Sequence, residues 1–202
     1  PMHATDDRLA KFPNVADQQR RTYDAMMLAM DDAIGKVRAK LAETGQTANT
    51  LITFISDNGG PTMPGTTING SRNTPLRGSK RTTLEGGNRI PFVVSWKGHL
   101  PPGTVYRHPV IQLDVFPTAL AAATGGRPIE GNSAPIDGVN LLPYLSGENA
   151  SPPHEVLYWR IGPQMAIRRG DWKLVLENSI ETRNSQSLFD RLRASALFGW
   201  LT

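Results

Sequence analysis

The chain has 202 residues, a formal charge of +4, 39% hydrophobic and 20% charged residues, and no cysteine. That composition belongs to a globular protein a little short of apolar residues, long enough for one large domain or one and a half small ones. It excludes disulfides, thiolate metal sites and cysteine nucleophiles within the chain. No apolar run approaches the roughly 20 residues of a membrane span, so no membrane role is expected. The lysines and arginines are scattered rather than massed, which argues against a nucleic-acid partner. The pI of about 9.6 is compatible with an anionic substrate.

Residues 1–16 are polar and irregular, with Pro1 and Pro13. There is no initiator methionine and no signal-peptide pattern, and the chain is expected to be a piece of a longer polypeptide. From Asp17 to Glu43 the pattern is helical: Tyr23, Met26, Met27, Met30, Ile34, Val37 and Leu41 recur at intervals of three and four and build one apolar stripe. Asp17 is the expected N-cap and Gly45 the stop. Thr50–Ser56 reads as a buried strand. Residues 57–88, rich in Gly, Pro, Thr and Asn, form a long loop, and loops of that length inside a domain tend to be functional.

Ile90–Trp96 reads as a second strand, Lys97–Gly103 as a turn and Val110–Leu113 as a short strand. Asp114 caps a helix running to about Ala123, ended by Gly125-Gly126. The Pro- and Gly-rich residues 126–153, interrupted by Val139–Leu145, mark a boundary near 150. Beyond it, Glu155–Arg160, Gln164–Arg168 and Trp172–Leu176 read as three antiparallel strands with turns at Gly162-Pro163 and Arg169-Gly170-Asp171. The order predicts an α/β domain over 1–150 followed by a small antiparallel-sheet subdomain over 151–202.

Chemistry is expected where the first strand ends. Ligands in open α/β sheets sit beyond the carboxyl ends of strands. Leu51-Ile52-Thr53-Phe54-Ile55 runs out into Ser56-Asp57-Asn58-Gly59-Gly60. The adjacent carboxylate and carboxamide oxygens of Asp57 and Asn58 suit a hard divalent cation. Cationic side chains on the following glycine-rich loop, Lys80 among them, could hold an anion beside it. The pattern predicts one part of a metal-assisted site for an anionic ester.

Motif order narrows this further. Tyr23-Asp24-Ala25-Met26 is followed by Met30-Asp31-Asp32-Ala33-Ile34-Gly35 and Ser56-Asp57-Asn58-Gly59. Then come Pro75-Leu76-Arg77-Gly78-Ser79-Lys80, Glu85-Gly86-Gly87 with Arg89 and Pro91, and Leu113-Asp114-Val115-Phe116-Pro117-Thr118. Asp137-Gly138-Val139-Asn140-Leu141 and Arg168-Arg169-Gly170-Asp171-Trp172-Lys173-Leu174 complete the series. In this order the chain resembles the formylglycine-dependent sulfatases of the alkaline-phosphatase superfamily, over nearly its whole length. The resemblance implies part of an alkaline-phosphatase-like mixed sheet flanked by helices, and hydrolysis of a sulfate ester of a sugar or aryl alcohol. It casts Asp57 and Asn58 as two ligands of calcium, with magnesium as the other candidate ion, and Lys80 as the catalytic, sulfate-binding cation. It also implies a periplasmic, secreted or lysosomal location. A sulfated small molecule or glycan is the expected partner; oligomeric state is open.

The chain departs from the family pattern at its centre of reactivity. The formylglycine nucleophile comes from a Cys/Ser-x-Pro-x-Arg motif. Ser133-Ala134-Pro135-Ile136-Asp137 imitates its start but carries Asp where Arg is required. The family's first strand, with further acidic ligands, also has no match, so the formylglycine is expected only in a missing upstream part. His3 lies near the position of a family active-site histidine, yet Pro1–Thr5 aligns better just after that residue, and its role stays open. Ser187-Leu188-Phe189-Asp190 begins a familiar closing motif, while 191–202 departs from it. The resemblance is to a C-terminal portion, expected to be inactive alone. A phosphodiester or phosphonate hydrolase of the same superfamily, and a non-catalytic relative that binds sulfated glycans, are the alternatives.

Structural roles are expected for several other prominent residues. Arg77 and Arg89 would form buried ion pairs that hold the loop, and Glu85 would pair with a loop cation or backbone amides. Asp31, Asp32, His99 and His108 would be solvated. The methionine stripe would fill the core, and Trp159 and Trp172 would pack the small sheet.

Overall fold

Helix α2, Gln18–Glu43, is the longest element of the computed structural model, which describes residues 2–63, 67–127 and 135–177. Asp17 caps it as the sequence predicts: its Oδ1 accepts from the Gln19 and Arg20 amides at 2.9 and 3.1 Å. Thr44 closes the helix and Gly45 turns away at φ +70°. The short α1, Asp6–Leu9, packs on it through an Arg8–Asp32 ion pair of 2.7 Å and an Arg21 Nε donation to the Leu9 carbonyl at 3.0 Å. The apolar stripe does not become core. Met26, Met27 and Met30 remain 39%, 39% and 38% exposed and Val37 62%, while Ala25 is the helix's buried residue. The reason is geometric: among the described residues no sheet lies over that face, so periodicity correctly marks the face but not its burial.

Strands β1, Ile52–Ile55, and β2, Phe92–Ser95, pair antiparallel with Phe54 opposite Val93. Among its described residues the loop between them holds one short helix, α3, Glu85–Asn88. Where a strand is predicted at Val110–Leu113, the chain instead makes a 3₁₀ turn, Gln112–Asp114, leading into α4, Val115–Thr124. Asp114 causes the difference. Its Oδ2 accepts from the Ile111 amide at 2.8 Å, closing a local loop with a donor that a strand ladder would have used. The same carboxylate makes no cap bond to α4. It accepts from the Val139 amide at 2.9 Å and meets His154 Nε2 at 2.9 Å through both oxygens. Asp114 is fully buried, and α5, Leu142–Leu145, follows the Val139 contact. Helix α4 ends at Gly125 in the left-handed region, as predicted.

Strands β3, Val156–Ile161, β4, Gln164–Arg169, and β5, Trp172–Leu176, form a separate antiparallel sheet in sequence order. One face buries Leu157 and Ala166. The opposite face leaves Tyr158, Ile167 and Leu174, which lie in register, exposed. Trp172 is on that outer face at 86% exposure, so it does not pack the sheet. Trp159 does, with the Lys173 ammonium 4.6 Å from its ring centroid. Ser133-Ala134 and the 187–190 motif lie outside the described residues.

The Asp114–His154 contact joins the turn before α4 to the segment entering β3. Removing the carboxylate leaves the His154 imidazole, 12% exposed, and the Ile111 and Val139 amides without their acceptor. Asp114→Ala is therefore predicted to cost about 3–5 kcal/mol in urea denaturation; a loss below about 1 kcal/mol would show that water replaces the carboxylate without penalty.

Candidate functional site

Beyond β1 the backbone turns sharply and is held in place by neutral hydrogen bonds. The Ser56 amide donates to the Pro91 carbonyl at 3.2 Å, and Gln112 Nε2 donates to the carbonyls of both Ser56 and Asp57 at 2.9 Å. Asp57 is exposed, and its Oδ1 accepts from the Asn58 amide at 2.8 Å. Asn58 Nδ2 is committed to the Gly59 carbonyl at 2.9 Å. Asp57 Oδ2 and Asn58 Oδ1 are left without protein donors among the described residues.

The next layer is a knot of backbone contacts around Gly59 and Gly60. The Gly59 amide donates to the Gly87 carbonyl at 2.9 Å, and a Cβ at Gly59 would sit 1.7 Å from the Gly86 oxygen, so only glycine fits. Asn73 Oδ1 accepts from the Gly60 amide, and its Nδ2 donates to the Gly60 and Gly78 carbonyls, all at 2.9 Å. Ser79, fully buried, accepts from the Thr62 amide at 2.9 Å. Lys80 donates its own amide to the Gly60 carbonyl at 3.1 Å. Arg81 follows at φ +70°, a left-handed conformation unfavourable for an L side chain, with its carbonyl held by Gln164 Nε2 at 3.2 Å.

The structure thus brings the Lys80 backbone to within two residues of Asn58. The Lys80 side chain is exposed and has no partner among the described residues. Asp57 lines a cleft of about 960 Å³ whose other walls include Tyr106, His108, Trp159 and Arg168; Asn58 and Lys80 are not among its lining residues. Within the cleft the Tyr106 hydroxyl is buried without a hydrogen-bond partner among the described residues, and burial pushes its pKa above the ordinary phenol value. As to donor chemistry, two oxygens suit calcium or magnesium but supply only part of the six to eight that calcium takes. No group of three His, Asp or Glu side chains is placed to hold a metal among the described residues. His3 is exposed.

The ion pairs differ from those the sequence predicts. Arg77 pairs at the surface with Glu177 at 3.4 Å, and its side chain is 79% exposed. Arg89 is exposed on the cleft wall. Neither forms a buried pair among the described residues, since both side chains are exposed. Glu85 pairs not with a loop cation but with the distant small sheet, to Lys173 at 2.7 Å and Arg168 at 3.5 Å. Sequence reasoning missed His154 altogether. A lone histidine after Pro152-Pro153 carries no spacing signal, and its acceptor lies 40 residues away.

Comparison with known proteins identifies the family of the chain. The sulfatase family profile matches residues 1–126. The uncharacterized sulfatase YdeN of Escherichia coli K12 is 34% identical over 153 residues, covering 76% of this chain and 26% of its own. Bovine arylsulfatase A is 32% identical over 159 residues, covering 76% of this chain and 30% of its own. A crystal structure of Ps i-CgsB in complex with k-i-k-neocarrahexaose superposes with a TM-score of 0.76 at 33% identity, over 96% of this chain and 46% of that one. The chain therefore spans between a quarter and a third of the length of these two curated relatives. Its mixed α/β fold with small antiparallel sheets is that of solved sulfatases, and the chain belongs to the sulfatase family.

Proposed function

We propose that this chain supplies the anion-binding and part of the cation-binding half of a sulfuric ester hydrolase. The observation that carries the reading is the Lys80 amide on the Gly60 carbonyl, which anchors a cationic loop beside the Asp57-Asn58 turn. In this reading Asp57 Oδ2 and Asn58 Oδ1 hold calcium, with magnesium as the other candidate. When bound, the ion polarises sulfate oxygens as a Lewis acid. The Lys80 ammonium, free of any protein carboxylate among the described residues, swings on its four-carbon stem to bind the sulfate and stabilise charge on the departing alcohol oxygen. The nucleophile belongs to a segment other than this one, since Ser133–Asp137 lacks the required arginine. A sulfated sugar is the favoured ester, because the neighbour that matches 96% of this chain was solved with an oligosaccharide.

The test is a chimera in which this chain replaces its matched portion of Ps i-CgsB, assayed for sulfate release from sulfated oligosaccharides and aryl sulfates. Lys80→Ala is predicted to lower kcat/KM by roughly 10²–10³-fold, the range seen when one transition-state donor is removed. An unchanged rate would remove Lys80 from the site. A chimera that cleaves phosphate diesters faster than matched sulfate esters would assign the site to phosphorus instead.

The cation claim has its own readout. Asp57→Ala is predicted to raise the calcium concentration for half-maximal activity at least tenfold, which corresponds to about 1.4 kcal/mol. Gly59→Ala should do the same without removing any donor, since its methyl group has to displace the Gly86 carbonyl or move the turn. Calcium dependence that ignores both substitutions would show that these two oxygens are not ligands.

A further inference from the structure

Lys80 stands at the tip of a turn that an unusual residue completes. The Thr82 amide donates to the Ser79 carbonyl at 3.0 Å, so Lys80 and Arg81 are the turn's two central residues. Thr82 Oγ1 tightens it, donating to the Ser79 carbonyl at 2.8 Å and accepting from the Ser79 amide at 3.2 Å. Arg81 has φ +70°, the only positive φ outside glycine among the described residues. A positive φ at the second central residue alone is the type II pattern, which ordinarily takes glycine or asparagine there. An arginine is strained in it and persists where its surroundings overdetermine the backbone. Here an anchor stands on each side of the tip. Before it, the Lys80 amide donates to the Gly60 carbonyl at 3.1 Å. After it, the Arg81 carbonyl accepts from Gln164 Nε2 at 3.2 Å.

Gln164 comes from a distant part of the chain. It opens β4, 83 residues beyond Arg81 and just after the turn at Gly162. Its amide can face Arg81 in one sense only, since Oε1 turned that way would set two acceptor oxygens against each other. With Nε2 on the carbonyl, Oε1 is buried and has no hydrogen-bond partner among the described residues, so the amide keeps this contact with its own acceptor unmet. Thr83 Oγ1 donates to the Met165 carbonyl at 3.4 Å, which lays the start of β4 along the same stretch of loop. We infer that Gln164 is a positioning residue for Lys80: from the small sheet it pins the peptide after Arg81, holds the left-handed turn, and fixes the point from which the Lys80 side chain reaches its anion. Gln164 touches no substrate in this role. The inference rests on the reading of Lys80 as the sulfate-binding cation and deepens it. The strain gives it a specific consequence. Glycine adopts φ +70° freely, so with glycine at position 81 the turn holds without Gln164. The requirement for Gln164 therefore depends on the side chain at 81, which simple packing of Gln164 would not produce.

The experiment is a double-mutant cycle on Gln164 and Arg81, read in two ways. Gln164→Met keeps the length of the side chain and removes the donor; Gln164→Ala is a second probe with the same expected pattern. In the purified 202-residue chain, Gln164→Met is expected to quicken amide hydrogen exchange at Lys80 and Thr82 about fivefold with circular dichroism unchanged, and adding Arg81→Gly to restore the parent rate. In the Ps i-CgsB chimera, Gln164→Met is expected to lower kcat/KM about fivefold, Arg81→Gly alone to stay within about twofold of the parent, and the pair to match Arg81→Gly. Exchange indifferent to both Gln164 variants would overturn the inference. So would a loss of rate equally large with glycine at 81, or a rate that stays constant while exchange quickens. Lys80→Ala separates this inference from the reading beneath it: a rate unchanged by that substitution fails the role of Lys80, whereas the exchange measurement involves no catalysis and reads the Gln164 anchor by itself.

Discussion

A single carbonyl oxygen organises the candidate site. Gly60 O accepts from the Lys80 amide at 3.1 Å, from Asn73 Nδ2 at 2.9 Å and from Ser79 Oγ at 3.3 Å. Three donors on one acceptor draw three points of a long loop back onto the end of β1. Each bond contributes on the order of 1 kcal/mol net, yet together they replace a floppy excursion with a fixed return. The glycines make that return possible. Gly59 lies against the Gly86 carbonyl with no room for a side chain, and Gly78, at φ +104°, has Leu84 Cβ 2.5 Å from where its own Cβ would be. The Asp57-Asn58 turn is thus held from behind, by backbone.

The C-terminal sheet reaches the same place by a different route. Glu85 opens the helix whose glycines support Gly59, and its carboxylate is held by Lys173 of β5 and Arg168 of β4. Lys173 is only 10% exposed and lies over Trp159, so this pair is better shielded from salt and water than the open Arg77–Glu177 contact. Thr83 Oγ1 adds a donation to the Met165 carbonyl at 3.4 Å. The small sheet thereby braces the loop between β1 and β2, and the Asp114–His154 contact fastens its entry to the turn before α4.

What was legible in the sequence follows from what is local. Asp17 as a cap, Gly125 as a stop and the turns at Gly162 and Gly170 are set by neighbouring residues, and the structure has them where the pattern predicts. The Asp57-Asn58 turn was legible because an apolar run ends there. The partners of Glu85 and Asp114 were not, since they lie 88 and 40 residues away and no periodicity encodes them. The methionine stripe shows the limit of pattern reading. Periodicity identifies which face of α2 is apolar, but burial depends on what packs against it. Trp172 teaches the same lesson on a strand, where alternation puts it on the open face.

The central claim is spatial: one cation and one ammonium grip a single sulfate between them. A crystal structure of the Ps i-CgsB chimera soaked with calcium and sulfate tests it most directly. The account predicts calcium within about 2.3–2.6 Å of oxygens from both Asp57 and Asn58, and Lys80 Nζ about 2.7–2.9 Å from a sulfate oxygen on the same ion. A cation bound away from this turn, with the Lys80 ammonium still in solvent, would contradict it.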